Sequence, residues 1–400
     1  VLEERMAKSP QKVLEFLNEL LTKAKPFAEK EVEELSVLAK ADGITEMQSY
    51  DHAYYAEKLR KQKFDFNDEE LKPYFQLDKV QEAVFGLAGK LFGLEFVETT
   101  DIQKYHADVK TYEIFERCET RDNRYEIENV ESLETRNPEL GTQFKALLYA
   151  DYHPRKGKRA GAWMTSFKNQ YIKNGKNHRP HISVVCNFTK PTAETPSLLT
   201  FNEVTTLFHE FGHALHGILA NTQYPNLSGT SVKWDFVELP SQFLENYCYE
   251  PEFLKTFAKH YQTGEVLPDE KIQKIEDSKN FMEGYQTLRQ LSFGILDMSY
   301  HAENVKVEDV KTFETETIKA TQVYPTLAET AISTSFSHIF QGGYSAGYYS
   351  YKWAEVLDAD AFQYFKENGV FDPLISKKFK TLLESGGTKD PMELYKNFRG

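Results

Sequence analysis

Apolar positions along the chain recur at two periods, and the change between them divides it into three stretches. From residue 9 to 42 the period is helical, and the pattern predicts two helices broken near Pro26, the second ending before Gly43. The stretch "MQSYDHAYYAEKLRKQKFDF" continues as helix with an aromatic face. "DKVQEAVFGLAGKLFGLEFVE" reads as another apolar helix that runs into an extended segment. Residues 1–95 are therefore expected to be helical. Short β-branched and aromatic runs follow, bounded by turn residues: "DVKTYEIFE", "FKALLYADY", "GAWMTSF" and "HISVVCNF". They predict a small sheet of about four strands within 96–190. A polar insertion at 117–143 reads as a solvated loop or hairpin extension, and "KNQYIKNGKNHRP" as a second loop. From 191 to the end the pattern is helical again, with turns at "NTQYPNLSG" and "QTGEVLP". There is no internal repeat. The expected fold is mainly α with a small inserted β-sheet.

The most regular helix is "TFNEVTTLFHEFGHALHGILA", residues 200–220. Thr200 and Glu203 fit a capping box that starts it. Val204, Leu207, Phe208, Phe211, Leu215, Ile218 and Leu219 make one apolar face. At ~100° per residue, His209, His213 and His216 fall in a stripe nearly opposite, with Glu210 beside them. One face is for packing, and the other collects ionisable groups.

Composition narrows the possible roles. The net charge of −13 argues against nucleic acid or an anionic membrane as partner. No apolar run reaches the ~18 residues that span a bilayer. Three well-separated cysteines, Cys118, Cys186 and Cys248, read as free thiols in a reducing compartment, so a cytoplasmic location is expected. The chain opens without an initiator Met and stops abruptly, and both ends read as cuts in a longer chain.

His209-Glu210-Phe211-Gly212-His213 is an HExxH motif. Imidazoles one helical turn apart project the same way and can hold one metal ion at ~2.0–2.1 Å each. Glu210 lies off that axis, where a carboxylate can take a proton from water without being a ligand. A catalytic zinc needs a third protein ligand and an open position. The longer HExxHxxGxxH pattern fails, because His216 and Leu219 occupy its last two defined positions. His216 lies a further turn along, too far to share the ion comfortably, and is expected to support a ligand from behind or to be structural. "KWDFVELPSQFLENYCYE" offers a better source. It reads as a second amphipathic helix, with Phe236, Leu239 and Phe243 on one side and Asp235, Glu238, Gln242 and Glu245 on the other. Pattern alone leaves Glu238 and Glu245 equally placed as third ligand. The carboxylate left over could hold a ligand histidine by its second ring N–H.

Two further stretches are informative. "SHIFQGGYSAGYYSY" combines Gly342, Gly343 and Gly347 with Tyr344, Tyr348, Tyr349 and Tyr351, and reads as a mobile loop. Beside a metal, a phenol or imidazole there could donate to a developing oxyanion. "HISVVCNF" lies just before the HExxH helix, and a sheet edge there could bind peptide by strand addition.

"LFHEFGHALH", "WDFVELPSQFLENYCYEPE", "HYQTGEVLP", "LRQLSFGILD" and "FSHIFQGGYSAGYYSYKWAEVL" resemble the thimet oligopeptidase family of zinc metallopeptidases, and within it the bacterial oligopeptidase A branch. The resemblance runs over nearly the whole chain. It implies a zincin-type catalytic region holding one Zn²⁺ through His209, His213 and Glu238, with Glu210 as general base. It implies that Tyr351 donates to the oxyanion, and that Tyr344 and His338 contact the substrate backbone near it. It further implies two mostly helical halves around a deep channel, acting on short peptides, with an N-terminal helical region and a C-terminal tail lying outside this sequence; a monomer is expected. Cleavage of internal bonds is the expected activity. A peptidyl-dipeptidase releasing C-terminal dipeptides and a non-catalytic metal- or peptide-binding protein are the alternatives. The insertion at 117–143 departs from the family pattern, where a short turn is expected.

Overall fold

A computed structural model of the chain describes residues 1–64, 68–117, 141–341 and 343–400. The core of the 117–143 insertion, Cys118 and Gly342 lie outside the described residues. The elements used below are α1 (Pro10–Ala41), α2 (His52–Phe64), α3 (Leu77–Phe92), β1 (Leu94–Glu98), β2 (Lys110–Arg117), β3 (Thr142–Asp151), β4 (Trp163–Lys168), β5 (Tyr171–Lys173), β6 (Lys176–His178) and β7 (His181–Val185). Beyond them come α4 (Phe201–Leu219), α5 (Trp234–Val237), α6 (Leu239–Glu245), α7 (Glu283–Tyr300) and α8 (Ser350–Asn368). No helix among the described residues is long and apolar enough to cross a membrane.

The chain folds as two compact units. The first comprises Val1–Asn67, Lys233–Glu238 and Pro268–Val356. Its frame is the pairing of α1 with α7. The expected break at Pro26 does not occur, and α1 is one helix of 32 residues. Proline removes one i→i−4 hydrogen bond, which favours a break. Here tertiary packing outweighs that loss, since α1 buries Val13, Leu17, Leu21, Ala28, Leu35 and Ala39 along one stripe. The backbones come close at Gly284 of α7, where a Cβ would stand 2.6 Å from the Ala28 nitrogen. Glu31 of α1 then accepts from the Gly284 and Tyr285 amides at 3.0 and 2.7 Å, capping α7 across the pair.

The second unit comprises Asp68–Val232, Leu239–Leu267 and Leu357–Gly400. Its five-stranded sheet has the order β1-β2-β3-β7-β4, antiparallel except for the parallel β3–β7 pair. The extended segment after α3 supplies the strand beyond the four expected, Gly93 turning the chain with φ 71°. The stretch read as a second loop contains a hairpin, β5 paired with β6. Asn174 (φ 53°) and Gly175 (φ 75°) form its tight turn, an Asn-Gly signal that the polar composition obscured. β7 lies inside the sheet between β3 and β4, so it offers no edge for strand addition. That expectation is corrected, because both sides of β7 already carry ladder hydrogen bonds. α4 packs on this sheet at Gly217, where a Cβ would meet Ile182 at 2.7 Å and Met164 at 3.0 Å.

Candidate metal centre and tyrosine loop

α4 begins as its sequence predicts. The Thr200 hydroxyl accepts from the Glu203 amide at 3.2 Å, and the Glu203 carboxylate accepts from the Thr200 amide at 2.8 Å. All seven residues of the predicted apolar face are buried. His209 and His213 are half-buried on the other side, their rings 5.0 Å apart and nearly perpendicular. Glu210 is buried. His216 departs from the wheel reading: it is fully buried, and burial drives its pKa down to about 3. The helix is covered on more than one side, so the last turn of the polar stripe is interior. Such burial favours the neutral imidazole.

The second segment is not one helix. It divides into α5 and α6, with Glu238 as the residue between them. Pro240 has no amide hydrogen to return to the Phe236 carbonyl, so the ladder restarts there. The division separates the four polar positions. Asp235 is fully buried and accepts from the Tyr349 hydroxyl at 2.8 Å and the Ala7 amide at 3.1 Å. Glu238 instead joins the two histidines: the nearest ligand atoms of His209, His213 and Glu238 all lie within 4.8 Å of one another. Glu245 is not part of that cluster, and its Oε1 lies 2.6 Å from His209 Nδ1. Gly212 makes the approach of α6 to α4 possible, because a Cβ there would sit 2.4 Å from the Pro240 carbonyl oxygen and 2.5 Å from Ser241 Cα.

In the first unit, the tyrosine loop surrounds Glu238. The Tyr344 hydroxyl donates to Glu238 Oε1 at 2.7 Å. Tyr344 stacks on Tyr351 with centroids 5.1 Å apart, and His338 stands edge-on to Tyr344 at 4.8 Å. Tyr351 Oη and His338 Nε2 are 3.4 Å apart. Burial, followed by the nearby Glu238 carboxylate, raises the Tyr344 pKa far above the usual phenol range, so it stays a donor. Burial lowers the pKa of His338, which favours neutral imidazole near neutral pH. Trp234 packs on Tyr344 at 4.6 Å and covers Gly343, whose φ is 90° and whose absent Cβ would fall 2.2 Å from the indole.

Sequence reasoning missed the anchor of this loop. Asp297 of α7 is fully buried and accepts from three consecutive amides, Ala346 at 2.9 Å, Gly347 at 2.8 Å and Tyr348 at 2.9 Å. His301 Nδ1 lies 2.9 Å from its Oδ1, the oxygen that also accepts from Ala346. Hydrogen bonds to a charged group contribute about 1.5–3 kcal/mol each, so this cradle holds the described part of the loop firmly. A carboxylate at the interior-facing position of the apolar run "LSFGILD" was the available signal.

Residues 1–400 match the sequence profile of Peptidase family M3. The chain belongs to that family. Membership in M3 implies a metal, generally zinc, and the His209–His213–Glu238 cluster has the donor set for it. Oligopeptidase A of Escherichia coli (strain K12) is 41% identical over 405 residues, covering 100% of this chain and 56% of that protein. Dipeptidyl carboxypeptidase of the same organism is 40% identical over 403 residues, covering 99% and 56%. The probable cytosolic oligopeptidase A of Arabidopsis thaliana is 40% identical over 407 residues, covering 98% and 55%. This M3 chain thus spans about half the length of the curated relatives that it matches.

Proposed function

We propose that this chain is the zincin-type catalytic region of a zinc-dependent oligopeptidase that cleaves internal bonds of short peptides. The observation that carries the reading is the His209–His213–Glu238 cluster with Glu210 on the adjacent position of the same helix. His209, His213 and Glu238 would hold the ion, and Glu245 would keep His209 oriented through its 2.6 Å contact. When bound, zinc supplies a Lewis acid that makes water nucleophilic near neutral pH. Glu210 takes a proton from the attacking water and returns it to the departing amine. Tyr351 donates to the carbonyl oxygen as negative charge develops on it, with Tyr344 and His338 holding the substrate backbone. The stacked Tyr344–Tyr351 pair and the Asp297 cradle support this, because an oxyanion donor is effective only when its position is fixed beforehand. The similarity to two oligopeptidases A favours endopeptidase action, while the similarity to a dipeptidyl carboxypeptidase keeps release of C-terminal dipeptides as a second reading. A cytoplasmic setting is supported by the buried free thiol of Cys186.

Product analysis on a peptide blocked at both ends separates the readings. Internal cuts are expected, and they should vanish in Glu210→Gln while the metal content stays the same. Cleavage of free-acid peptides only, always two residues from the end, would move the assignment to the second reading.

A further inference from the structure

The first unit contains a cavity of about 350 Å³ that the proposed chemistry leaves unused. Arg289, Tyr285, Phe293, Tyr324, Glu314 and Phe336 are among its lining residues. Its charges are unequally committed. The Glu314 carboxylate already accepts from the Ile332 and Ser333 amides, at 2.9 and 2.7 Å, and from the Ser333 hydroxyl at 2.6 Å. Lys311 is occupied by the carbonyls of Leu327 and Thr330. Arg289 differs: its guanidinium lies over the Phe293 ring at 5.4 Å and has no carboxylate partner among the described residues. The cavity thus presents one planar cationic fork above aromatic walls.

Phe336 connects this cavity to the loop. It stacks on Phe293 at 4.3 Å and touches both His338 and Tyr348, at 5.6 and 5.4 Å. His338 in turn stands against Tyr344, the donor to Glu238. Phe336 thus lines the cavity on one side and touches the loop residues on the other.

We infer that this cavity is a subsite for a peptide carboxylate, with Arg289 pairing the charge and Phe293 and Phe336 receiving the neighbouring apolar side chain. Guanidinium matches carboxylate geometry in a bidentate manner that a lysine does not reproduce. A C-terminal carboxylate and an acidic side chain share this chemistry. The inference rests on the oligopeptidase reading and gives that site a preference among short peptides.

The test measures binding, so turnover is not required. In the chain carrying Glu210→Gln, fluorescence anisotropy would compare three labelled hexapeptides: one with a free C-terminus, its C-terminal amide, and that amide with Glu as the penultimate residue. The free acid is expected to bind roughly 10–100-fold more tightly than the amide, the range for a hydrogen bond to a charged group. Arg289→Gln should bring the two together without weakening the amide, and Arg289→Lys should recover only part of the difference. Recovery by the Glu-containing amide assigns the subsite to any carboxylate, and no recovery assigns it to the terminus. Equal affinities of acid and amide, a preference that survives Arg289→Gln, or no binding of any of the three would each overturn the inference. Hydrolysis of a doubly blocked peptide by the unsubstituted chain, run in parallel, reports on the oligopeptidase reading separately from the subsite.

Discussion

Oε1 of Glu245 lies 2.6 Å from Nδ1 of His209. The pairing draws the ring proton to Nδ1 and leaves Nε2 with the lone pair that a metal requires. Removing the carboxylate frees the ring to rotate and to change tautomer. Glu245→Ala is expected to lower zinc affinity about 10–100-fold. Competition with a chromophoric chelator would measure it. The thermal stability of the metal-free chain should change little, because the pair is partly exposed and contributes little to folding.

Gly212 is the position at which α4 and α6 meet most closely. A methyl group at Gly212 would collide with backbone atoms of Pro240 and Ser241, which cannot rotate away. Gly212→Ala is therefore expected to destabilise the chain by about 1–3 kcal/mol, as overpacking does. Helix propensity alone predicts the opposite sign, since alanine exceeds glycine by ~1 kcal/mol. Urea denaturation decides between the two, and a stabilised variant would mean that the two backbones can separate without cost.

Asp297 acts on the proposed chemistry through the loop amides. Asp297→Asn preserves the shape but supplies one oxygen acceptor where the carboxylate supplied two, and it places an NH₂ group against an amide donor. Turnover is expected to fall at least about tenfold with zinc content unchanged, the pattern of a lost oxyanion donor rather than a lost ligand. Asp297→Glu should not rescue it, because the cradle is fully buried and its distances are already short.

His52 gives a pH dependence of stability with a definite sign. It is buried, it stacks on Tyr285 at 3.7 Å, and its Nδ1 lies 2.7 Å from the Tyr324 hydroxyl. Burial, with a smaller contribution from Arg289, lowers its pKa to about 4. The unfolded chain then binds the proton at higher pH than the folded chain does. The stability that neutral His52 supports is whole above the ordinary value near 6.5 and is lost as pH falls from there towards 4, by up to about 1.4 kcal/mol per pH unit. Urea midpoints between pH 7 and 4.5 would show the loss. In His52→Gln, which cannot titrate, that part of the slope should disappear.

Much of the site could be read from residue types and periods, and the failures have physical causes. The HExxH helix was legible because its capping box, apolar stripe and metal-ligand spacing agree with one another. The partners of Glu238 and Glu245 were open on pattern alone, since both fall on one face of an uninterrupted helix. Pro240 breaks that helix and turns the two carboxylates to different tasks. His216 looked exposed on a wheel that assumes one buried face, yet α4 presses on the sheet at Gly217 as well as on α6 at Gly212. Pro26 argued for a break that the length of the α1–α7 packing prevents. Asp297 was the least legible: its role lies in three loop amides about fifty positions further along the chain. A single sequence does not display such a contact.

Diffraction from crystals grown with zinc, recorded on both sides of the zinc absorption edge, tests the central claim most directly. One strong anomalous peak per chain is expected, about 2.0–2.2 Å from a ring nitrogen of His209, a ring nitrogen of His213 and a carboxylate oxygen of Glu238. A peak bound elsewhere, or a peak at the two histidines with the Glu238 carboxylate directed away from it, would contradict it.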